Sequence, residues 1–278
     1  MAKPTKSIDI IKKFTVSKSI KNKRIPQSPP WGDIGGFFTM KKYHPIPLHE
    51  SLKKDVRFIE GLTTCIACGV CTAICPAAAF HDYNPRQLMK VVESGSENEL
   101  ETLLKSDAIW MCGECMSCKT RCPRNNTVGL VIMALRSLAM DRGYFAESEK
   151  GRQQLFLKRV IGGWILNHGY CLYLEGIGTD LYPEQGPVWD WRQNHWAATM
   201  ERMGANYQGD GPGAMRKIPE EALEEVRKIF ELTGGNARFD KIEFYSKKKS
   251  EEMGIELTDE LMNDYVKHIY TYNSKANQ

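Results

Sequence analysis

The chain has 278 residues, 42% of them hydrophobic and 26% charged, with a formal net charge of +4. That is enough for one medium domain or two small ones with real cores. So mild a positive excess gives no argument for nucleic acid or a membrane as partner. No stretch approaches the roughly 18 apolar residues needed to span a bilayer; the best candidate, Val160 to Leu166, is short and runs into Asn167 and His168. The basic N-terminus lacks the apolar core of a signal peptide. A soluble, cytoplasmic protein with no transmembrane segment is expected.

In chain order, residues 1–50 read as an irregular N-terminal arm. Ser17 to Pro30 carries basic residues, serines and three prolines with no apolar period. Trp31 to His49 mixes glycine, aromatics and proline, which suggests packing without regular structure. A short helix is expected over Leu52 to Leu62. Asn84-Pro85 opens another that runs through Leu88 and Val92, and Ser96 caps a third with Leu100, Leu103 and Leu104 on its inner face. After Pro123, Val128, Ile132, Leu135, Leu138 and Ala139 recur at helical spacing.

Beyond Gly143 the character changes. Residues 150–175 read as a helix followed by an apolar, aromatic segment, and residues 182–215 are rich in Trp, Gly and Pro with few helix signals. Pro219 opens a helix that Gly234-Gly235 stops. Two more helices are expected, from Asp240 to Met253 and from Thr258 to about Tyr272. Strand signals are weak throughout, so the fold class is mostly α. The expected division is an arm over 1–50, a cysteine-bearing domain over 51–145 and a helical extension over 146–278. Trp164, Trp189, Trp191 and Trp196, with Tyr170, Tyr173, Tyr182 and Tyr207, give the extension a heavy aromatic load. Aromatics favour interface centres, so part of it is expected to dock on a partner.

The nine cysteines carry most of the information. Four lie between Cys65 and Cys75, four between Cys112 and Cys122, and Cys171 stands apart. Two dense clumps in a long chain point to metal in a reducing compartment, whereas a disulfide scaffold is usually short and secreted. Each clump has the spacing C-x-x-C-x-x-C-x-x-x-C-P, and the two are offset by 47 residues. Three cysteines at three-residue spacing let one tight loop wrap three corners of a [4Fe–4S] cubane. In two-cluster ferredoxins the fourth reaches across to the other cluster. The spacing therefore assigns Cys65, Cys68, Cys71 and Cys122 to one cluster, and Cys75, Cys112, Cys115 and Cys118 to the other. Structural zinc also takes four thiolates, but usually through paired C-x-x-C hairpins from separate segments.

The flanking residues fit cluster binding. Gly69 and Gly113 would relieve backbone crowding, and Ala67, Val70, Ala73 and Ile74 would form an apolar shell. Lys119, Arg121 and Arg124 put positive charge near the second loop, where it would raise a cluster's potential; a solvated face or a partner contact is the other reading. Cys171 is expected to be a small buried hydrophobe. None of the six histidines sits at ligand spacing with another, and His81 reads as packed or exposed. Trp189, Trp191 and Trp196 have no cofactor motif, and core or interface packing is their default. There is no dinucleotide fingerprint and no phosphate loop, no Cys-Cys pair, and no Ser/His/Asp constellation. No catalytic residue is assigned.

The run Cys65-Ile-Ala-Cys-Gly-Val-Cys-Thr-Ala-Ile-Cys75-Pro and the run Trp110-Met-Cys-Gly-Glu-Cys-Met-Ser-Cys-Lys-Thr-Arg-Cys122-Pro, with the helix through Ile132 to Ala139, resemble the C subunit of heterodisulfide reductase. The resemblance covers roughly residues 50–145. The iron–sulfur subunits of succinate dehydrogenase and fumarate reductase share the motif, but carry a cysteine-bearing [2Fe–2S] domain upstream; residues 1–64 here hold no cysteine. The resemblance implies an α-helical ferredoxin fold around two [4Fe–4S] clusters. It also implies partners: a heterodisulfide reductase B-like protein whose special cluster acts on disulfides, and a flavin-containing A-like protein. Typical members are expected to end soon after the second cluster helix. The extra 120 or so residues look like the longer C subunits of the heterodisulfide reductase-like complex of sulfur-oxidising microbes. The expected function is electron relay in such a complex. An iron–sulfur subunit of a quinone-linked dehydrogenase and a zinc-stapled scaffold are the alternatives.

Overall fold

Helix follows helix in the computed structural model, which describes residues 46–171, 179 and 185–275; none of these is in a strand. The expectations for the arm before residue 46, and for Tyr173 and Tyr182, lie outside the described residues. His49 belongs to a helix, α1 (Leu48–Leu52), contrary to the irregular structure expected there. Pro47 offers α1 no cap, and the Glu97 carboxylate supplies one from a distance, accepting from the backbone N–H of Leu48 at 2.7 Å and of His49 at 2.9 Å.

The single helix expected over Leu52 to Leu62 is interrupted, and α2 spans Val56–Gly61. Asp55 explains the break. Its carboxylate accepts from the Arg57 N–H at 2.9 Å, so it starts a new helix rather than continuing the old one. A short turn, α3 (Val70–Ala73), follows the first cysteines. Asn84 caps α4 (Pro85–Ser94) by accepting from the Gln87 N–H, and Gly95 ends it in a left-handed turn. Leu88, Met89 and Val92 form its buried face. In α5 (Glu97–Leu104), Leu100 and Leu104 are buried, but the Ser96 side chain makes no capping bond.

The axis of this half is α6 (Val128–Arg142), which buries Val128, Val131, Ile132, Leu135, Leu138 and Ala139. Its apolar residues cover more than one face because α1, α2, α4 and α5 contribute to the same core. At its start, Thr127 N–H donates to the Gly61 carbonyl at 2.8 Å. A Cβ on Gly61 would sit 2.9 Å from Val131 Cγ2 and 3.1 Å from the Thr127 carbonyl oxygen. Only a residue without a side chain lets α2 close so tightly on α6.

The extension is largely helical. Segments α7 (Glu149–Arg152) and α8 (Gln154–Leu157) lead through a π turn at Lys158–Gly162 into α9 (Gly163–His168). The expectation of few helix signals after residue 182 fails, since α10 spans Pro187–Arg202. Pro187 in its first turn, Asp190 near its start and Arg202 near its end are the signals that the density of tryptophan obscured. Next come α11 (Glu220–Leu232), α12 (Gly235–Met253) and α13 (Asp264–Lys275). Gly234 turns the chain in the left-handed region, and α12 starts at once on Gly235, earlier than the expected Asp240. The last helix starts later than Thr258 because Asn263 caps it, accepting from the Val266 N–H at 3.0 Å.

A second core joins Phe145, Leu155, Phe156 and Val160 to Ile242, Tyr265, Val266 and Ile269, and Trp110 packs against both cores. At its edge Glu243 accepts from Lys158 at 2.6 Å and from both Arg159 Nε and Nη2 at 2.9 and 2.8 Å. Burial alone would raise the Glu243 carboxyl; the two cations hold it below the usual carboxylate range. No helix among the described residues is long and apolar enough to cross a membrane.

The tight crossing of α2 and α6 makes a direct forecast. Gly61→Val forces the helices apart and lowers stability by about 1–3 kcal/mol, read as a lower thermal midpoint by circular dichroism. Val at the solvent-facing Glu60, where no such crossing exists, serves as the comparison.

Candidate functional site

The sequence repeat is also a repeat of backbone geometry. In the first loop the Ala67 N–H donates to Cys65 Sγ at 3.4 Å; in the second the Glu114 N–H donates to Cys112 Sγ at 3.4 Å. Ala67 and Glu114, 47 residues apart, both have positive φ, at 54° and 52°. Gly69 and Met116, again 47 apart, do too, at 84° and 59°. Each loop thus curls round its first sulfur and turns backbone N–H groups inward. Gly113 has no part in this: its φ is not positive, and a Cβ there would meet nothing within 4 Å. Gly113 lines the second cavity, and Met116 holds the left-handed turn that Gly69 makes in the first loop.

Two cavities lie against these loops. The first is lined by Cys65, Cys68, Cys71, Cys118 and Cys122. The second is lined by Cys71, Cys75, Cys112, Cys115 and Cys118. Cys71, Cys118 and Val128 border both, so the cavities share a wall. Cys122 lies on the first cavity with the N-terminal motif, and Cys75 on the second with the C-terminal motif. Ala67, Val70, Met89 and Val128 make the first cavity apolar; Ile74, Ala77, Met111 and Met116 do so for the second. Ala73, expected in that shell, is exposed because it lies on the outer side of α3. Cys68 and Cys115 are exposed, and the other six are half-buried.

Side-chain staples hold the loops in place. Asn126, only 4% exposed, accepts from the Thr63 N–H at 2.9 Å and from its hydroxyl at 3.0 Å. Its amide donates to the Thr64 carbonyl at 2.9 Å. Three bonds thus tie the chain just after Cys122 to the chain just before Cys65. Glu93 of α4 holds the first loop separately, accepting from the Cys65 N–H at 2.8 Å. In the second loop Arg136 donates to the Ile109 and Cys112 carbonyls, both at 2.7 Å, and pairs with the Glu114 carboxylate. Its guanidinium also lies over the Trp110 ring, 5.5 Å from the centroid.

Burial pushes the Cys71 and Cys112 thiols up, while the Ser117 hydroxyl draws the Cys115 thiol down. Arg124 lines the first cavity with Arg86, so its charge faces the N-terminal loop and not the second loop expected for it. Lys119 and Arg121 are exposed in a single turn of 3₁₀ helix. His81 is exposed at the rim of the second cavity. Cys171 is exposed, not buried as expected; Gly169 has already ended α9, and the chain leaves the core there. Trp191 is 56% exposed and stacks on His195, whereas Trp196 packs edge-on against Tyr207. Sequence reasoning missed Tyr83, Met89, Asn126 and Arg136. Arg136 had a signal, a lone cation in the apolar run from Val128 to Ala139. Asn126 had none beyond its place before a helix.

Thiol-rich cavities with apolar walls fit a thiolate-held iron–sulfur cluster. Structural zinc needs four donors converging on one ion. Because Asn126 is buried, Asn126→Ala leaves the Thr63 N–H and the Thr64 carbonyl without partners. It should cost about 1–3 kcal/mol, measured by thermal unfolding under anaerobic conditions. Asn98→Ala, at an exposed position of α5, should leave the midpoint nearly unchanged.

Comparison with known proteins agrees with this geometry. The 4Fe-4S dicluster domain family matches residues 61–126. The C subunit of ferredoxin:CoB–CoM heterodisulfide reductase from Methanosarcina acetivorans is 47% identical over 102 residues, which are 36% of this chain and 40% of that one. The C subunit of H2:CoB–CoM heterodisulfide,ferredoxin reductase from Methanothermobacter thermautotrophicus is 30% identical over 175 residues, 63% of this chain and 76% of that one. The same extent and identity hold for its counterpart in Methanothermobacter marburgensis. A match of 175 residues reaches well beyond the cysteine repeat. It also makes the Methanothermobacter relative about 230 residues long (175/0.76), so length does not set this chain apart as expected. With its iron–sulfur domain and a likeness that covers three quarters of the Methanothermobacter relatives, the chain belongs to the family of heterodisulfide reductase C subunits.

Proposed function

We propose that the chain holds two [4Fe–4S] clusters, one on Cys65, Cys68, Cys71 and Cys122 and the other on Cys75, Cys112, Cys115 and Cys118. The observation that carries this reading is the crossed lining of the two cavities, with Cys122 on the first and Cys75 on the second. Clusters of this kind take up and release single electrons at potentials set by charge, hydrogen bonds and exposure. The chain's own part is to fix the cavities side by side across the wall of Cys71 and Cys118, and to keep both apolar. The exposed Cys68 and Cys115 put one edge of each site at the surface, where an electron can enter or leave.

In this reading the chain relays electrons between two partners in a cytoplasmic complex, a flavin-containing A-like protein and a disulfide-active B-like protein. The resemblance read from the sequence suggests a complex of sulfur oxidation, although length does not set this chain apart from its Methanothermobacter relative. The names of the relatives favour a second reading, in which the B-like partner acts on the CoB–CoM heterodisulfide. Reduction of that heterodisulfide by the purified complex separates the two. Within the extension, large apolar side chains are offered for docking on α10 (Val188, Trp191), on α11 (Ile229, Leu232) and at Phe244 of α12. Residues 235–253 instead pack back on the chain: Tyr245 lies against Phe145, and Lys241 pairs with Asp141 at 2.9 Å.

Protein purified without oxygen should be brown and hold about eight irons per chain; stoichiometric zinc with no visible absorption refutes the proposal. Cys75→Ser should disturb the cluster of Cys112, Cys115 and Cys118, and Cys122→Ser that of Cys65, Cys68 and Cys71, as followed by electron paramagnetic resonance. If each variant disturbs the cluster of its own motif, the crossed assignment is wrong.

A further inference from the structure

Tyr83 stands just before the cap of α4 and is 4% exposed. Its ring packs in the first core, and it lines the second cavity with Cys75, Cys112 and Cys118. Its hydroxyl is buried and has no hydrogen-bond partner within normal geometry. Leaving a hydroxyl so placed is unfavourable by about 1–3 kcal/mol, and native structures satisfy such groups. The group beside it is the Cys112 sulfur, which comes close but does not complete a regular bond.

The chemistry of that neighbour resolves the difficulty. A thiol sulfur is a weak acceptor. A thiolate or sulfide sulfur carries negative charge, and charge-assisted hydrogen bonds are the stronger kind. A tyrosine hydroxyl carries its proton at neutral pH, so it can serve here as a donor. The repeat provides no second copy: 47 residues on, the corresponding position is Leu130.

We propose that the Tyr83 hydroxyl donates a hydrogen bond to a sulfur of the cluster in the second cavity and raises that cluster's reduction potential. Hydrogen bonds to cluster sulfurs favour the reduced state, in which the sulfurs carry more negative charge. Tyr83 is therefore a tuning residue, which sets a difference between two sites that the repeat would otherwise make alike. This rests on the proposed two-cluster reading.

The test is Tyr83→Phe in the full-length chain, purified and titrated without oxygen under electron paramagnetic resonance. The variant should keep the wild-type iron content. The equilibrium constant for one-electron reduction of one cluster should fall roughly tenfold, which is about 59 mV, and the other cluster should not move. An exchangeable proton coupled to that cluster should vanish from its electron–nuclear double resonance spectrum. Unchanged potentials with that proton retained overturn the proposal. If the phenylalanine variant loses iron, fluorotyrosine at position 83 carries the test. Its shape is close to that of tyrosine and its hydroxyl is a stronger donor, so the same potential should rise. A potential that stays or falls overturns the proposal. A wild-type chain without iron would refute the two-cluster reading itself, an outcome distinct from either.

Discussion

The arrangement of the whole site depends on one contact, that between the end of α2 and the start of α6. Gly61 lets the helices meet backbone to backbone, and the Thr127 N–H donates to its carbonyl. Asn126, one residue earlier, binds Thr63 and Thr64. These bonds bring the segment after Cys122 beside the segment before Cys65, although 57 residues separate the two cysteines (122 − 65). The fourth cysteine of the second motif therefore belongs in space to the first loop. That placement, set by helix packing, is what supports the proposed crossed donor set.

The rest of the fold keeps that contact in place. The apolar surface of α6 is covered by α1, α2, α4 and α5, and loss of one buried leucine from such a core would cost about 2–5 kcal/mol. Polar staples are used where the loops meet the core. Arg136 leaves the buried helix to bind two carbonyls of the second loop, and Glu93 leaves α4 to bind the first. The second core adds support through Trp110, and the Asp107 carboxylate accepts from the Ser148 hydroxyl and from the Lys150 N–H. The extension is thus joined to the loop that precedes Cys112.

The cysteine spacing made the two-loop site legible in the sequence, and the helical period made α4, α5 and α6 legible. These are local signals, in which neighbouring residues decide the outcome. The failures have a physical pattern. The helix α10 was missed because its tryptophans and glycine-proline entry mask the helix signals of a first-turn proline and of end charges at Asp190 and Arg202. Cys171 was misplaced because burial depends on where Gly169 sends the chain. Asn126 and Tyr83 were invisible because their roles depend on residues brought near by the crossing of α2 and α6. The left-handed turn at Met116 was hidden because a methionine gives no sign of that backbone conformation.

The crossed donor set is the central claim, and an anomalous diffraction map at the iron edge, from crystals grown without oxygen, tests it most directly. The account predicts two four-iron peaks, with Cys122 Sγ bound to the one that Cys65, Cys68 and Cys71 hold, and Cys75 Sγ bound to the other. Cys122 found on the same iron site as Cys112, Cys115 and Cys118 would contradict it.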